Sequence, residues 1–245
     1  MNTIFLTNCM TQPFLPHTTA YCQILNQEIP CPMLLSSFKG TAAPRLWIPN
    51  ASYTLIYNLK QRYLLNLPSS EKVRELTFEK DCPYFGITFL PGILPADTLK
   101  SDPSLPSLLS VQPTFTDQIS CFLDTLNPGR HLHFPNNTIQ YMITAIAASN
   151  NFPSIQQLAH ELSYSERHIS RLFQSHMNYP PKNFIRILRF QRSLQEILKM
   201  PDRNNSEFIK LLTYSDQAHF QREFKHFTTM TPRRFIQLLN QTEAF

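Results

Sequence analysis

The chain has 245 residues, of which 42% are hydrophobic and 16% charged. This composition supports a folded core and excludes a disordered or fibrous chain, and no apolar run reaches the ~18 residues of a spanning helix. The N-terminus MNTIFLTNCMTQ lacks a basic region followed by a long apolar one, so we expect no secretory signal and a soluble, cytoplasmic protein.

Charge and cysteine are distributed unevenly. Residues 1–129 hold 8 Lys and Arg against 9 Asp and Glu, a net charge of −1, whereas residues 130–245 hold 14 against 8, a net charge of +6. A basic region beside a near-neutral one favours a polyanion as partner of the former. The cysteines have no C-x-x-C spacing, which predicts reduced thiols, no metal site and no cofactor. They are Cys9, Cys22, Cys31, Cys82 and Cys121.

Residues 1–126 are predicted to form a β-rich domain. Short runs rich in β-branched and aromatic residues alternate with turn residues, as in strands joined by turns. The predicted strands are Arg45–Ile48, Tyr53–Leu59, Arg62–Leu67 and Tyr84–Leu90. Apolar residues then recur at helical spacing over Thr116–Leu126, with Thr116 or Asp117 as the cap. Residues 127–137, NPGRHLHFPNN, are predicted to be a linker.

Residues 138–245 are predicted to be helical throughout, so the fold class expected is α+β. Four capping residues mark helix starts, and proline marks a fifth. The predicted helices are Thr138–Ser149, one capped by Ser154, one capped by Ser165, Lys182–Leu198, Glu207–Leu212 capped by Ser206, Gln217–Phe227 capped by Asp216, and Pro232–Asn240.

The C-terminal region contains an internal repeat at an offset of 51 residues. Between Ser165 and Leu188 seven residues recur in the second copy, among them His168 as His219 and Phe173 as Phe224. Each copy places a short helix before a capped helix with a polar, basic outer face, which is the pattern of a helix-turn-helix. In direct readout of base edges, Arg forms paired hydrogen bonds with guanine and Gln forms paired hydrogen bonds with adenine. The outward residues are Glu166, Arg167, Ser170, Arg171 and Gln174 in the first copy, and Gln217, Ala218, Gln221, Arg222 and Lys225 in the second.

The motifs SIQQLAHEL, PKNFIRILRFQRS, YSDQAHFQREFK and TPRRF together resemble the AraC/XylS family of bacterial transcription regulators. The resemblance covers about the last hundred residues. It implies a seven-helix domain in which helix 182–198 connects two motifs that enter successive major grooves. It also implies promoter DNA as the partner. The lack of a Gly-rich phosphate loop, of a G-x-S-x-G elbow and of clustered cysteines predicts no enzymatic activity, and the lack of a long apolar run predicts no membrane partner. RNA polymerase, a small-molecule effector and a second copy of the chain are further candidate partners.

By position, the resemblance implies base contacts from Arg167, Ser170 and Arg171 in the first copy and from Gln217, Ala218, Gln221 and Arg222 in the second, and DNA contacts also from Gln174 and Lys225. Arg167 is equally compatible with a base or a phosphate contact, and Arg171 and Arg222 are alternatively structural partners of Glu161 or Glu223. The backbone N–H groups at the helix starts, Ser165 and Asp216, can donate to DNA phosphates. His168 and His219 are expected either to face the phosphates or to take part in packing. The family usually carries glycine before and after each recognition helix, and other residues stand at those positions here. We therefore expect the second copy to contribute less to base recognition than the first. The replaced positions are Ser163, Asn178, Thr213 and Thr229, and Ile209 stands where the family prefers Ala.

The N-terminal region resembles a small sensor-type domain in its segments RLWIPNASYTLIYNL and YFGITFLPGIL. If it holds a ligand pocket, the predicted lining is Trp47, Tyr53, Tyr57 and Arg62, although aromatic residues of this kind more often form core. Two alternatives stay open. One is a protein-binding adaptor whose helix-turn-helix no longer binds DNA. The other is a DNA alkyl-transfer protein, which the scattered cysteines disfavour.

Overall fold

The structure, a computed structural model, describes residues 25–26, 29–30, 33–41, 44–199 and 214–243. Over these residues a β-rich N-terminal region precedes a helical C-terminal region, so the predicted α+β class is confirmed. None of the helices in the described part of the chain is long and apolar enough to cross a membrane.

The strands of the N-terminal region are short and pair in antiparallel fashion. The central sheet has the order β3-β8-β5-β6, and three further pairs are β1-β2, β4-β7 and β9-β10. All four strands predicted from the sequence are present, with bounds that differ by one residue at one or both ends. The strands are β1 (Leu25–Asn26), β2 (Ile29–Pro30), β3 (Met33–Lys39), β4 (Arg45–Trp47), β5 (Tyr53–Asn58), β6 (Tyr63–Leu67), β7 (Arg74–Leu76), β8 (Pro83–Phe89), β9 (Leu94–Pro95) and β10 (Leu132–His133).

The central sheet buries both faces. Side chains alternate along a strand, so Leu55 and Tyr57 face one core while Ile56 between them faces another. The first core continues into the C-terminal helices, whereas the second is a small cluster in which Phe38, Phe78 and Tyr84 pack their rings at 5.0–5.3 Å. Burial on both faces fixes the register of the strands, because a slip of one residue would exchange the two sets of side chains.

The helices are α1 (Asp97–Lys100), α2 (Leu105–Ser110), α3 (Phe115–Thr125), α4 (Pro128–His131), α5 (Asn137–Ala148), α6 (Ile155–Glu161), α7 (Glu166–Met177), α8 (Pro181–Lys199), α9 (Gln217–Thr228) and α10 (Pro232–Glu243). The cap of α3 is Thr114, whose side chain accepts a hydrogen bond from the Asp117 backbone, and not Thr116 or Asp117 as predicted. The predicted helix Glu207–Leu212 and its cap Ser206 lie outside the described residues.

Residues 127–137, expected as a linker, contain ordered structure. They hold α4, and β10 then pairs with β9 through Leu132 and Pro95. The Ala96 N–H donates to the His131 carbonyl at 2.8 Å, and Leu132 is buried. The segment is therefore built into the N-terminal region, because its apolar side chain and its backbone groups both find partners there.

Candidate nucleic-acid interface

The first helix-turn-helix is formed by α6 and α7. Ser154 and Gln157 form a capping box at the start of α6, and Ser165 caps α7 by accepting a hydrogen bond from the His168 backbone at 3.2 Å. Both caps were predicted from the sequence. Ile169 and Phe173 are fully buried, so one face of α7 is fixed against the core while the opposite face points to solvent.

The second recognition helix, α9, is built in the same way. Asp216 accepts a hydrogen bond from the His219 backbone at 2.7 Å, and this contact lowers the pKa of the Asp216 carboxyl. Phe220 and Phe224 are buried at the positions equivalent to Ile169 and Phe173. Thr213 and Ile209 lie outside the described residues.

The repeat seen in the sequence is also a repeat of packing. The ring of Phe173 in α7 lies 5.5 Å from that of Phe184 in α8, and the ring of Phe224 in α9 lies 5.2 Å from that of Phe235 in α10. Each recognition helix is therefore held against the helix that follows it by an equivalent aromatic pair.

The outward residues predicted from the sequence lie on exposed helix surface, except Ser170, which is half-buried. The exposed set is Glu166, Arg167, Arg171, Gln174, Gln217, Ala218, Gln221, Arg222 and Lys225. Arg171 and Arg222 do not pair with Glu161 or Glu223, so the alternative of a structural ion pair with these two carboxylates is wrong. Glu223 is paired with Arg186, and Glu161 accepts a hydrogen bond from the Tyr141 hydroxyl at 2.8 Å. Among the described residues neither arginine forms a salt bridge, although the charge of Arg222 helps to lower the pKa of Asp216.

The Arg186–Glu223 ion pair joins the connecting helix α8 to the recognition helix α9. It is bidentate, with 2.9 Å from Nε to Oε2 and 3.1 Å from Nη2 to Oε1. Burial raises the pKa of the Glu223 carboxyl, but the hydrogen bond and charge of Arg186 outweigh it and leave this pKa below its usual value. The fork geometry fixes the orientation of the two helices as well as their distance.

His168 and His219 lie in the first turn of α7 and of α9, and their rings pack against neighbouring tyrosines. The His168 ring lies 4.6 Å from that of Tyr164, which is 48% exposed. His219 Nδ1 lies 3.1 Å from Ser215 Oγ, and its ring lies 5.3 Å from that of Tyr214. These contacts agree with the packing role expected for both histidines.

Three positions where the family carries glycine keep a left-handed backbone without it. The φ angles are 56° at Ser163, 65° at Asn178 and 62° at Thr229. Asn178 and Thr229 end α7 and α9, and each donates its backbone N–H to the carbonyl four residues earlier at 2.9 Å. Asn adopts this conformation readily, whereas a β-branched residue does so only with strain.

The predicted ligand pocket is not assembled as proposed. Trp47 and Tyr57 are buried in different cores, Arg62 is exposed at a turn with φ 60°, and Tyr53 lines the cavity described next. Burial raises the pKa of the Tyr57 hydroxyl, and the charge of Asp102 raises it further. The presence of aromatic residues in a strand could not indicate which face of the sheet each side chain occupies.

A cavity of about 300 Å³ lies instead at the boundary between the two regions. One side is lined by Tyr53, Asp97 and Lys100, and the other by Met177 and Asn178 at the end of α7. Lys100 Nζ lies 2.6 Å from the Asp97 carboxylate. Ser52 is buried in the lining, and its hydroxyl has no hydrogen-bond partner among the described residues.

The described residues contain no group of three or more His, Cys, Asp or Glu placed to hold a metal ion. Cys82 is buried and Cys121 half-buried, and both are free thiols. Burial raises the pKa of the Cys82 thiol, and the neighbouring Glu79 carboxylate adds to this. Cys9, Cys22 and Cys31 lie outside the described residues.

Residues 158–237 match the family model described as a helix-turn-helix domain. The C-terminal region therefore carries an AraC-type helix-turn-helix domain. The chain is a DNA-binding transcription regulator. The matched range includes both recognition helices and the helix between them, so the AraC-type domain contains every outward residue predicted from the sequence.

Solved structures of ToxT from Vibrio cholerae are similar to most of the chain. An apo variant of ToxT aligns with a TM-score of 0.47 at 7% identity, over 84% of this chain and 97% of that one. Two further ToxT structures align with TM-scores of 0.44 and 0.41 at 8% identity, over 83% and 85% of this chain and 97% and 98% of theirs. Likeness at this level carries no functional conclusion. No curated protein matches the sequence.

Proposed function

We propose that the AraC-type domain reads two successive major-groove segments of a promoter, with α7 and α9 as the recognition helices. The observation that carries this proposal is the matched construction of the two motifs. Each has a capped recognition helix, an equivalent aromatic pair behind it and an exposed face that carries Arg and Gln. Arg167, Arg171 and Arg222 are the guanine readers of the proposal, and Gln217 and Gln221 the adenine readers.

The length of the connecting helix fits this arrangement. Helix α8 has 19 residues and so spans about 28 Å at about 1.5 Å per residue. Successive major grooves on one face of B-DNA are about 34 Å apart. A connecting helix of this length, joined to α9 by the Arg186–Glu223 ion pair, is suited to holding two recognition helices one turn of DNA apart.

We further infer that the N-terminal region modulates DNA binding through its contacts with both motifs. The Val73 N–H donates to the Phe227 carbonyl at the end of α9 at 2.8 Å, and His176 Nε2 in α7 lies 2.6 Å from the Gly92 carbonyl. Gln191 in α8 is fully buried and donates to the Pro49 carbonyl at 2.5 Å. Because these contacts reach α7, α8 and α9, a shift of the N-terminal region would change the placement of both recognition helices.

The boundary cavity is where an effector would act in this proposal. A small polar molecule there would touch Tyr53 and Lys100 on one side and Met177 on the other. The buried Ser52 hydroxyl supplies a hydrogen-bonding group for it. By linkage, a ligand that binds one relative placement of the two regions better than another shifts the chain towards that placement.

The proposal is tested with the full chain, since the two regions share a core and hydrogen bonds. A preferred duplex is first selected from a randomised pool, and its affinity is compared by fluorescence anisotropy with that of a scrambled duplex across a salt series. A sequence-specific regulator is expected to prefer the selected duplex by about a thousandfold or more, with affinity falling as salt rises. Failure to bind either duplex at low salt would favour the adaptor.

A further inference from the structure

We propose that Lys182 and Arg233 form a matched pair of phosphate contacts, one beside each recognition helix. Neither residue belongs to the outward faces predicted to read bases. The inference rests on the proposed reading of two groove segments and adds the residues that hold the protein to the DNA backbone at both.

The two cations occupy equivalent places in the repeat. Lys182 corresponds to Arg233 at the offset of 51, and each directly follows a proline that begins a helix, Pro181 or Pro232. Each also stands two residues before a phenylalanine that packs on its recognition helix, as described above for the aromatic pairs. Two residues along a helix is a rotation of about 200°, so a cation there points away from the buried phenylalanine.

Both side chains are exposed, and neither has a carboxylate partner among the described residues. The contrast with Arg186 in α8 is clear, since its charge is engaged by Glu223. An exposed cation that no carboxylate neutralises adds fully to the attraction for a polyanion.

Lys182 and Arg233 lie close to the C-terminal ends of the recognition helices, where a helix would meet the edge of the major groove. Helices α7 and α9 have 12 residues each and so extend about 18 Å, whereas the major groove is about 12 Å wide. A helix whose first turns read bases therefore reaches the sugar-phosphate backbone with its far end. Lys182 follows the last residue of α7 by five positions and Arg233 follows the last residue of α9 by five, which puts both cations near that end.

Phosphate contacts and base contacts have different signatures. Each phosphate neutralised by a cation contributes about 0.9 to the slope of log K against log salt, while base contacts contribute to discrimination between sequences. Removing one phosphate contact should therefore reduce the affinity ratio between 50 and 200 mM salt by about 3.5-fold, and removing two by about 12-fold.

The test compares Lys182→Gln, Arg233→Gln and the double variant with the parent chain, on the selected and the scrambled duplex, between 50 and 200 mM KCl. Lys80→Gln is the matched control, because Lys80 is an exposed lysine of the N-terminal region and its loss lowers the net charge equally. Thermal unfolding verifies that each variant keeps the fold.

The expected result is a flatter salt dependence for each variant by the factors above, unchanged preference for the selected duplex, and parental behaviour of Lys80→Gln. Parental salt slopes in the Lys182 and Arg233 variants would overturn the inference and leave the proposed function intact. So would a tenfold or greater loss of preference without a change in slope, since that marks base contacts. A parent chain that shows no preference at all would instead sink the proposed function, and the inference with it.

Discussion

Replacing Thr229 by glycine is expected to stabilise the protein by about 0.5–1 kcal/mol. Thr229 ends the second recognition helix with φ at 62°, and a left-handed backbone costs a residue with a Cβ about 1–2 kcal/mol. Glycine removes that cost but loses about 0.5–1 kcal/mol more chain entropy on folding. The Thr229 hydroxyl also donates to the Thr228 carbonyl at 2.6 Å, a part-buried contact whose Thr229 side chain is exposed, so water can replace it.

The assay is thermal unfolding followed by circular dichroism, with Asn178→Gly as the matched control. Asn178 ends α7 with φ at 65° but tolerates this conformation, so its replacement should change stability by less than about 0.5 kcal/mol. For a chain of this size a gain of about 1 kcal/mol raises Tm by about 2–4 °C. A Thr229→Gly variant that melts at or below the parent temperature would refute the reasoning, as would an equal gain from Asn178→Gly.

Three further predictions concern the interface and the helices behind it. Arg171→Ala should weaken binding to the selected duplex by about 1–3 kcal/mol and reduce discrimination, measured by anisotropy on selected and scrambled duplexes; unchanged discrimination would remove it from the readout set. Glu223→Gln leaves Arg186 without its carboxylate and should cost about 1–3 kcal/mol in urea unfolding. Since the folded pKa of Glu223 lies below its ordinary value of about 4.3, its contribution is present above that pH and is lost as pH falls through the folded pKa. The loss of stability on acidification should accordingly be shallower in Glu223→Gln, and parallel curves would contradict this. Gln191→Ala leaves the Pro49 carbonyl without its donor, so it should lower stability by about 1–3 kcal/mol and change DNA affinity, and a change in stability alone would argue against coupling.

The helical half was largely predictable because its signals are local. Ser154, Ser165 and Asp216 cap the helices as the sequence indicates, since a cap depends on residues only two or three positions away. The repeat likewise predicted equivalent inner faces, and the Phe173–Phe184 contact has its counterpart in the second copy.

The N-terminal half was predictable as strands but not as a site. Runs rich in β-branched and aromatic residues place β4, β5, β6 and β8 to within a residue at each end, yet both faces of the central sheet are buried, so such runs cannot distinguish core from cavity lining. Trp47 and Tyr57 therefore belong to core, and Tyr53 alone of the predicted residues reaches the cavity.

The sequence by itself determined two capped recognition helices and the residues on their outer faces, because helix caps and the helical period act over a few residues. Only the tertiary structure decided how the N-terminal region touches them. Gly92 and His176 are 84 positions apart, and Pro49 and Gln191 are 142 apart. Contacts of that separation follow from the packing of whole elements around a shared core, which no local pattern encodes.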